Sequence, residues 1–596
     1  MKQYSRTCAG ALMAVALCFA AAPAWAAWDR FEIIHWQTRD AAQLETLRRL
    51  GVTAVTVIPA RGVLDQEIAA PSALGLRWYL ENVATDFYAP YHKYTPGKIE
   101  NWRFLEAQER YRANPEDTAA LHREPSLSDP EARARIAARL TDLAARQKAF
   151  RPLYYSLGDE TGIADLAAFW DFDLSPASVA GFRAWLRTQY GSLDALNAEW
   201  GSSWPAWEAI EPETTRLAMR RTDGNFAAWN DFKAWMDTSF AEALRFGTDA
   251  LHRADPTALA GIEGTQIPGW GGYDYTKLAQ AVDVVEIYDD GENLPILRSL
   301  NPGVTALITS GAATPEALHG LWREVLRGAR GLILWDEDNS IVTPGAEPGA
   351  RGQAYAPVFA ALRGPLGQRL VEAETLYDPV AILYSPVSFR VRWMLDHQPN
   401  GDAWMSRSAE IELGDNAFRV ALREYAAAVR RFGLTPRFIS PGQLAKGPPE
   451  ARLLILPHTL ALSEEEVRAI AAFAARGGTV VSDIAPGAYD EHGRPRPATP
   501  VLPVARVTPR ALTAPAAPAF AVDSPDNDVD TYMFVSRGKR LLALHRRAPG
   551  GAVGPVTVYM HGSRASDVVT GQDHAASELL TLMLDPVTPI VLEIDP

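Results

Sequence analysis

The chain predicts an α/β protein: a (β/α)8 TIM barrel, then a flavodoxin-like α/β unit, then a small antiparallel β-domain. Three observations predict it. Between Trp28 and about Leu370, short apolar runs alternate with amphipathic helical stretches, the pattern of a parallel sheet covered by helices. Eight such runs occur, the number that closes a barrel. Nearly every run also ends in polar or aromatic residues, as barrel strands do where their carboxyl ends build a site. A doubly wound open sheet shares the alternation, so the barrel rests on the count and on this end chemistry.

The expected strands are FEIIHW (31–36), VTAVTVIP (52–59), LRWYLENVA (76–84), PLYYSLG (152–158), TALAGIEG (257–264), VDVVEIY (282–288), VTALITSG (304–311) and GLILWDED (331–338). AARLTDLAARQKAF reads as the helix before the fourth strand and ALHGLWREVLRGA as the one before the eighth. The barrel is assigned to residues 27–375. Residues 376–494 form the flavodoxin-like unit, with strands VAILYSP, RLLILP and GTVVSD and a helix, EEEVRAIAAFAARGG, closed by a glycine cap. The Pro-rich stretch 495–518 reads as a linker. Residues 519–596 alternate in period two, with TYMFVSRGKRLLALHRR as a hairpin.

At 596 residues the chain exceeds one core, and its 47% hydrophobic and 22% charged composition is ordinary for globular proteins. The first 26 residues differ: Lys2 and Arg6 precede an apolar run that ends in Ala24-Trp25-Ala26, a signal-peptide pattern. Export to the periplasm or the medium is expected, with a retained membrane anchor as the alternative. Both cysteines, Cys8 and Cys18, lie in this leader, so the mature chain needs no disulfide. Removing Lys2 and Arg6 takes the formal charge from −14 to −16, which argues against nucleic acid and polyanionic partners. No later segment approaches about 20 uninterrupted apolar residues, so no membrane span is expected.

Chemistry concentrates at the strand ends. Strand four stops at Gly158 and presents Asp159 and Glu160, ahead of an amphipathic helix rich in Trp and Tyr. A carboxylate at a strand's carboxyl end, facing aromatic platforms, suits a sugar-processing site, and an acid in such a cleft has a raised pKa suited to protonating a leaving oxygen. Glu263 on strand five and Glu286 on strand six are the candidate second carboxylates; the plainer reading of either is a group that orients the sugar or holds an Arg. Tyr288, Asp289 and Asp290 follow Glu286. Trp36, Trp335 and Trp270 are the expected stacking residues, Trp270 because its Gly-rich loop offers little core to fill. Asp336 and Glu337 are expected to contact substrate hydroxyls, with a calcium ion or a solvated turn as the alternative readings of this acidic run. His35, His92 and His458 lack metal-ligand spacing and read as hydrogen-bonding or core residues. No metal or organic cofactor is expected, and no phosphate loop, dinucleotide fingerprint or serine elbow is present.

The segment FRAWLRTQYGSLDALNAEWGSSWPAW (182–207) resembles the one after the acid/base strand in glycoside hydrolase family 42, the β-galactosidase-like group of clan A. LWREVLRGARGLILWDED and RLLILPHTLALSEEEVRAIAAFAARGGTVV resemble that family's eighth helix and strand and its trimerisation domain. The resemblance implies a catalytic barrel, a flavodoxin-like trimerisation domain, a terminal β-sandwich, a carbohydrate substrate and a homotrimer. It assigns Glu160 as general acid/base, with Asp159 replacing the family's Asn. It also places the nucleophile at the end of strand seven, where this chain has Thr309 and Ser310. Either another strand supplies the second carboxylate or the barrel binds carbohydrate without cleaving it.

Overall fold

The structure is a computed structural model that describes residues 28–59, 64–92, 97–288, 291–407, 414–448 and 450–595. The leader and the pair Asp289–Asp290 lie outside the described residues.

The eight expected runs form eight parallel strands, closed in chain order into a barrel. They are β1 (Glu32–His35), β2 (Ala54–Val57), β3 (Arg77–Leu80), β4 (Tyr155–Asp159), β5 (Ala260–Thr265), β6 (Val284–Ile287), β7 (Thr305–Ser310) and β8 (Gly331–Leu334). Side-chain direction follows the two-residue period of a strand. Ile34, Ala54, Val284, Leu307 and Ile333 fill the barrel interior with Trp28, Tyr79 and Tyr154. Their neighbours Ile33, Val55, Val285, Ile308 and Leu332 point outward into the core shared with the helices. The same parity turns Glu286 and Thr309 inward, each two residues beyond an interior residue.

Two irregularities adjust that parity near the mouth. The β4–β5 register shifts between Ser156 and Asp159, and the β5–β6 register shifts between Ile262 and Thr265. Such bulges re-aim side chains beside active sites. Here they set Asp159 opposite Glu263. The loops after β3 and β4 are long and helical, including Pro130–Gln147, Pro176–Tyr190 and the 28-residue Ala227–Ala254.

Beyond the barrel, Arg437–Ile439, Val380–Leu383, Leu453–Leu456, Thr479–Ser482 and Ala505–Arg506 form a five-stranded parallel sheet in that order. Its fifth strand comes from the Pro-rich stretch expected as a linker. Helix Glu464–Ala475 starts at a Ser463 capping box, and Gly477 beyond it has φ +89°. The C-terminal residues build a three-stranded and a six-stranded antiparallel sheet around Leu542, Leu544, Val556, Val558 and Leu592. The six-stranded sheet includes the expected hairpin, Val529–Ser536 with Lys539–Arg546, and takes its edge strand, Glu374–Thr375, from the end of the barrel. Among the described residues no helix is long and apolar enough to cross a membrane.

Candidate active site

A cleft of about 550 Å³ opens at the carboxyl ends of the barrel strands, lined by Trp36, His92, Asp159, Glu160, Glu263, Glu286, Tyr288, Thr309, Trp335 and Glu337 among others. Seven of the expected site residues therefore meet around one space with Glu160, from five different strands. Active sites of (β/α)8 barrels lie on this face.

Glu160 follows β4 with φ +49°, a left-handed conformation that costs a non-glycine residue on the order of 1 kcal/mol. Its backbone N–H donates to the Glu263 carbonyl at 2.9 Å, which holds it across the β4–β5 bulge. Tyr288 donates to Oε1 at 3.4 Å, and His92 Nε2 lies 2.5 Å from Oε2. Gly264 makes room for this side chain. It has φ +61°, and a Cβ there would lie 2.4 Å from Glu160 Cγ.

Glu286 is buried at the inner end of β6. The Gly264 N–H donates to its Oε2 and the Thr309 hydroxyl to its Oε1. The threonine at the strand-seven position therefore serves a carboxylate on the neighbouring strand. Burial pushes the Glu286 carboxyl up to about 7, against the hydrogen bonds from Thr309 and Gly264, with Asp159 and Glu160 adding to the rise. Gly264 thus lies between the two acids, its N–H on Glu286 and its α-carbon against Glu160.

Glu263 is different. It is buried, Tyr154 donates to its Oε1, and Oε2 has no hydrogen-bond partner among the described residues. Burial, with Glu81 and Asp159 nearby, holds its carboxyl well above the ordinary range. A carboxyl shifted this way by burial is a poorer nucleophile than one that ionises readily. Of the two candidates for the second carboxylate, Glu286 has the better environment.

The aromatic expectations divide. Trp36 and Trp335 meet edge to face, centroids 6.5 Å apart, and Trp335 is 47% exposed at the cleft. Trp270, in contrast, is 4% exposed and packed among Phe169, Trp229, Phe389 and Trp393. It is core, and the expectation that its loop presents it to sugar is corrected. The parallel-sheet unit supplies the missing packing through Phe389 and Trp393, both on helix Pro386–His397.

Asp336 is also corrected. It is fully buried, and its carboxylate accepts from Arg39 Nη2 at 3.0 Å, Ile341 N–H at 2.8 Å and His35 Nε2 at 3.2 Å. These partners, set against burial, hold it well below the usual carboxylate range. It shares the outward parity of Leu334, whereas Trp335 and Glu337 share that of Ile333 and face the cleft. Its work is to hold the loop that carries Trp335.

His92 was expected to be a bonding or core residue, and the structure places it in the cleft. Its Nε2 lies 2.5 Å from Glu160 Oε2 and 3.2 Å from Glu100 Oε1. A nitrogen and a carboxylate oxygen at this separation are hydrogen-bonded. No spacing signals this contact, which joins residues 68 positions apart.

The chain thus combines a parallel barrel whose mouth gathers carboxylates and tryptophans with a parallel sheet and an antiparallel sandwich. The model of glycoside hydrolase family 42, described as β-galactosidase, matches residues 123–293, in agreement with the resemblance carried by 182–207. No curated protein matches in sequence. Among solved structures, the β-galactosidase from Bacillus circulans sp. alkalophilus superposes with a TM-score of 0.69 at 14% identity, covering 95% of this chain and 99% of its own. A catalytic mutant of a family 42 β-galactosidase from G. stearothermophilus gives 0.67 at 15% identity, covering 95% and 98%. A family 42 exo-carrageenase from Bacteroides ovatus gives 0.58 at 14% identity, covering 95% and 79%. At these identities the likeness is one of fold.

Proposed function

We propose that this protein is an exported glycoside hydrolase of β-galactosidase-like type, with Glu160 as general acid/base and Glu286 as its partner carboxylate. The observation that carries the reading is Glu286 itself. It lines the cleft of Glu160 and is held by the threonine at the position where the resemblance expects a nucleophile. Glu160 protonates the glycosidic oxygen while Glu286, as nucleophile or as base, supports the oxocarbenium-like centre. Trp36 and Trp335 offer faces for the sugar, and Tyr288 orients Glu160. Export rests on the leader pattern, and a homotrimer rests on the resemblance of residues 376–494 to a trimerisation domain.

The missing strand-seven carboxylate favours a second reading, a barrel that binds carbohydrate without cleaving it. One experiment separates them: the mature protein is assayed on a panel of aryl-glycosides and oligosaccharides beside Glu160→Gln and Glu286→Gln. Turnover that drops roughly a hundredfold or more in each variant is the expected result. Negligible rates in all three proteins, with a glycan still bound, would establish the binder instead.

A further inference from the structure

The acid/base glutamate does not stand alone in the cleft. His92 is 6% exposed, and both ring nitrogens face carboxylates. Nδ1 lies 2.6 Å from Asp165 Oδ1, on the loop after β4. Asn101 secures both partners: its N–H donates to the His92 carbonyl at 3.0 Å and its Nδ2 to Asp165 Oδ2 at 3.2 Å. The imidazole is therefore fixed in position and orientation, with Nε2 aimed at Glu160. A packing histidine in a barrel rim has no need of two carboxylates, nor of one that lines the cleft.

We propose that His92, oriented by Asp165, is the proton store of Glu160: it hands Glu160 the proton used on the leaving group and takes it back when water is activated. This rests on the reading of Glu160 as acid/base. In the forward step the Nε2–H proton moves to Glu160 Oε2 as substrate excludes water, leaving neutral imidazole with its Nδ1–H on Asp165. The carboxylic acid then gives a proton to the glycosidic oxygen as the C–O bond breaks. When Glu160 removes a proton from water, that proton returns to Nε2, and the cycle balances without another reactant. Such a store meets a specific need. A carboxyl that gives up its proton in each turnover must regain one, and an imidazolium beside it keeps that proton at hand.

Three carboxylates face the ring: Asp165, Glu160 and Glu100. Burial pulls the imidazolium down, but the hydrogen bonds and charges of Asp165 and Glu160 outweigh it and lift His92 to about 9. The store stays loaded below that pH and empties above it.

The experiment measures kcat/KM from pH 5 to 10 for wild type, His92→Ala, His92→Gln and Glu160→Gln. Each is assayed on a phenyl glycoside, which needs a proton to leave, and a dinitrophenyl glycoside, which does not. Both His92 variants are expected to lose roughly a hundredfold on the phenyl substrate and at most a fewfold on the dinitrophenyl one. The wild-type alkaline limb near 9 should be absent in them, and added imidazole should restore part of the rate in His92→Ala. Gln fills the site and donates a hydrogen bond but stores no proton, so it decides the matter if the alanine variant fails to fold. Equal losses on both substrates, or an unchanged alkaline limb in His92→Gln, overturn the proposal. If Glu160→Gln shows the leaving-group pattern and the His92 variants do not, only this inference falls. If Glu160→Gln retains wild-type rates on both, the reading of the site falls with it.

Discussion

Glu286 shows how far one residue's environment departs from its type. An exposed glutamate ionises near 4.5, whereas burial moves this one to about 7. Between those values the folded protein holds a proton that the unfolded chain has released. Stability therefore falls as pH rises through that window, by about 3 kcal/mol in total. Glu286→Gln removes the titration, so urea melts of the wild type from pH 4 to 8 should show a decline that the variant lacks. Parallel curves for the two proteins would show that Glu286 ionises normally. The same shift predicts an acidic limb near pH 7 in the activity of the wild type, since both nucleophile and base must be ionised. His92 could not be read in advance for a simple reason: both its partners lie on another strand's loop.

At the scale of elements, the turn at the end of β5 sets the geometry. Only a residue without a Cβ fits Gly264, because its φ is +61° and a methyl group would press on Glu160 Cγ. Gly264→Ala should lower kcat/KM about tenfold or more with circular dichroism unchanged, since small displacements of a reacting group are costly. An alanine variant as active as wild type would show that Glu160 has room to shift. That Glu286 and Thr309 turn inward was settled by which face the barrel closes on, whereas their places at the ends of strands six and seven were legible in the sequence. The loop beyond β8 was not. A run reading WDEDN gives no sign that Asp336 turns back to Arg39 and His35, some 300 residues earlier, while Glu337 faces the cleft.

At the scale of the molecule, the terminal β-domain is built into the barrel. Thr375 pairs with Phe534, Arg369 meets Glu593 at 2.5 Å, and His319 Nε2 meets the Arg546 carbonyl at 2.7 Å. Deleting residues 519–596 should therefore lower the barrel's melting temperature by about 5 °C or more, as read by calorimetry on the truncated chain. An unchanged transition would mean that these contacts add nothing to the barrel. The burial of Trp270 also belongs to this scale, because the aromatic cluster around it is completed by Phe389 and Trp393 from the parallel-sheet unit.

The sequence by itself determined the eight barrel strands, the parallel sheet, the antiparallel hairpin and the place of Glu160 at the end of β4, because periodicity and strand-end chemistry are local properties. Tertiary structure decided the rest. It gave Glu286 and Glu263 different partners, seated Thr309 on Glu286, withdrew Asp336 and Trp270 from the cleft and brought His92 to Glu160. Each of those outcomes depends on groups distant in the chain that fix a side chain's burial and hydrogen-bond partners. Burial and partners, rather than residue type, set whether a carboxylate is charged and where it points.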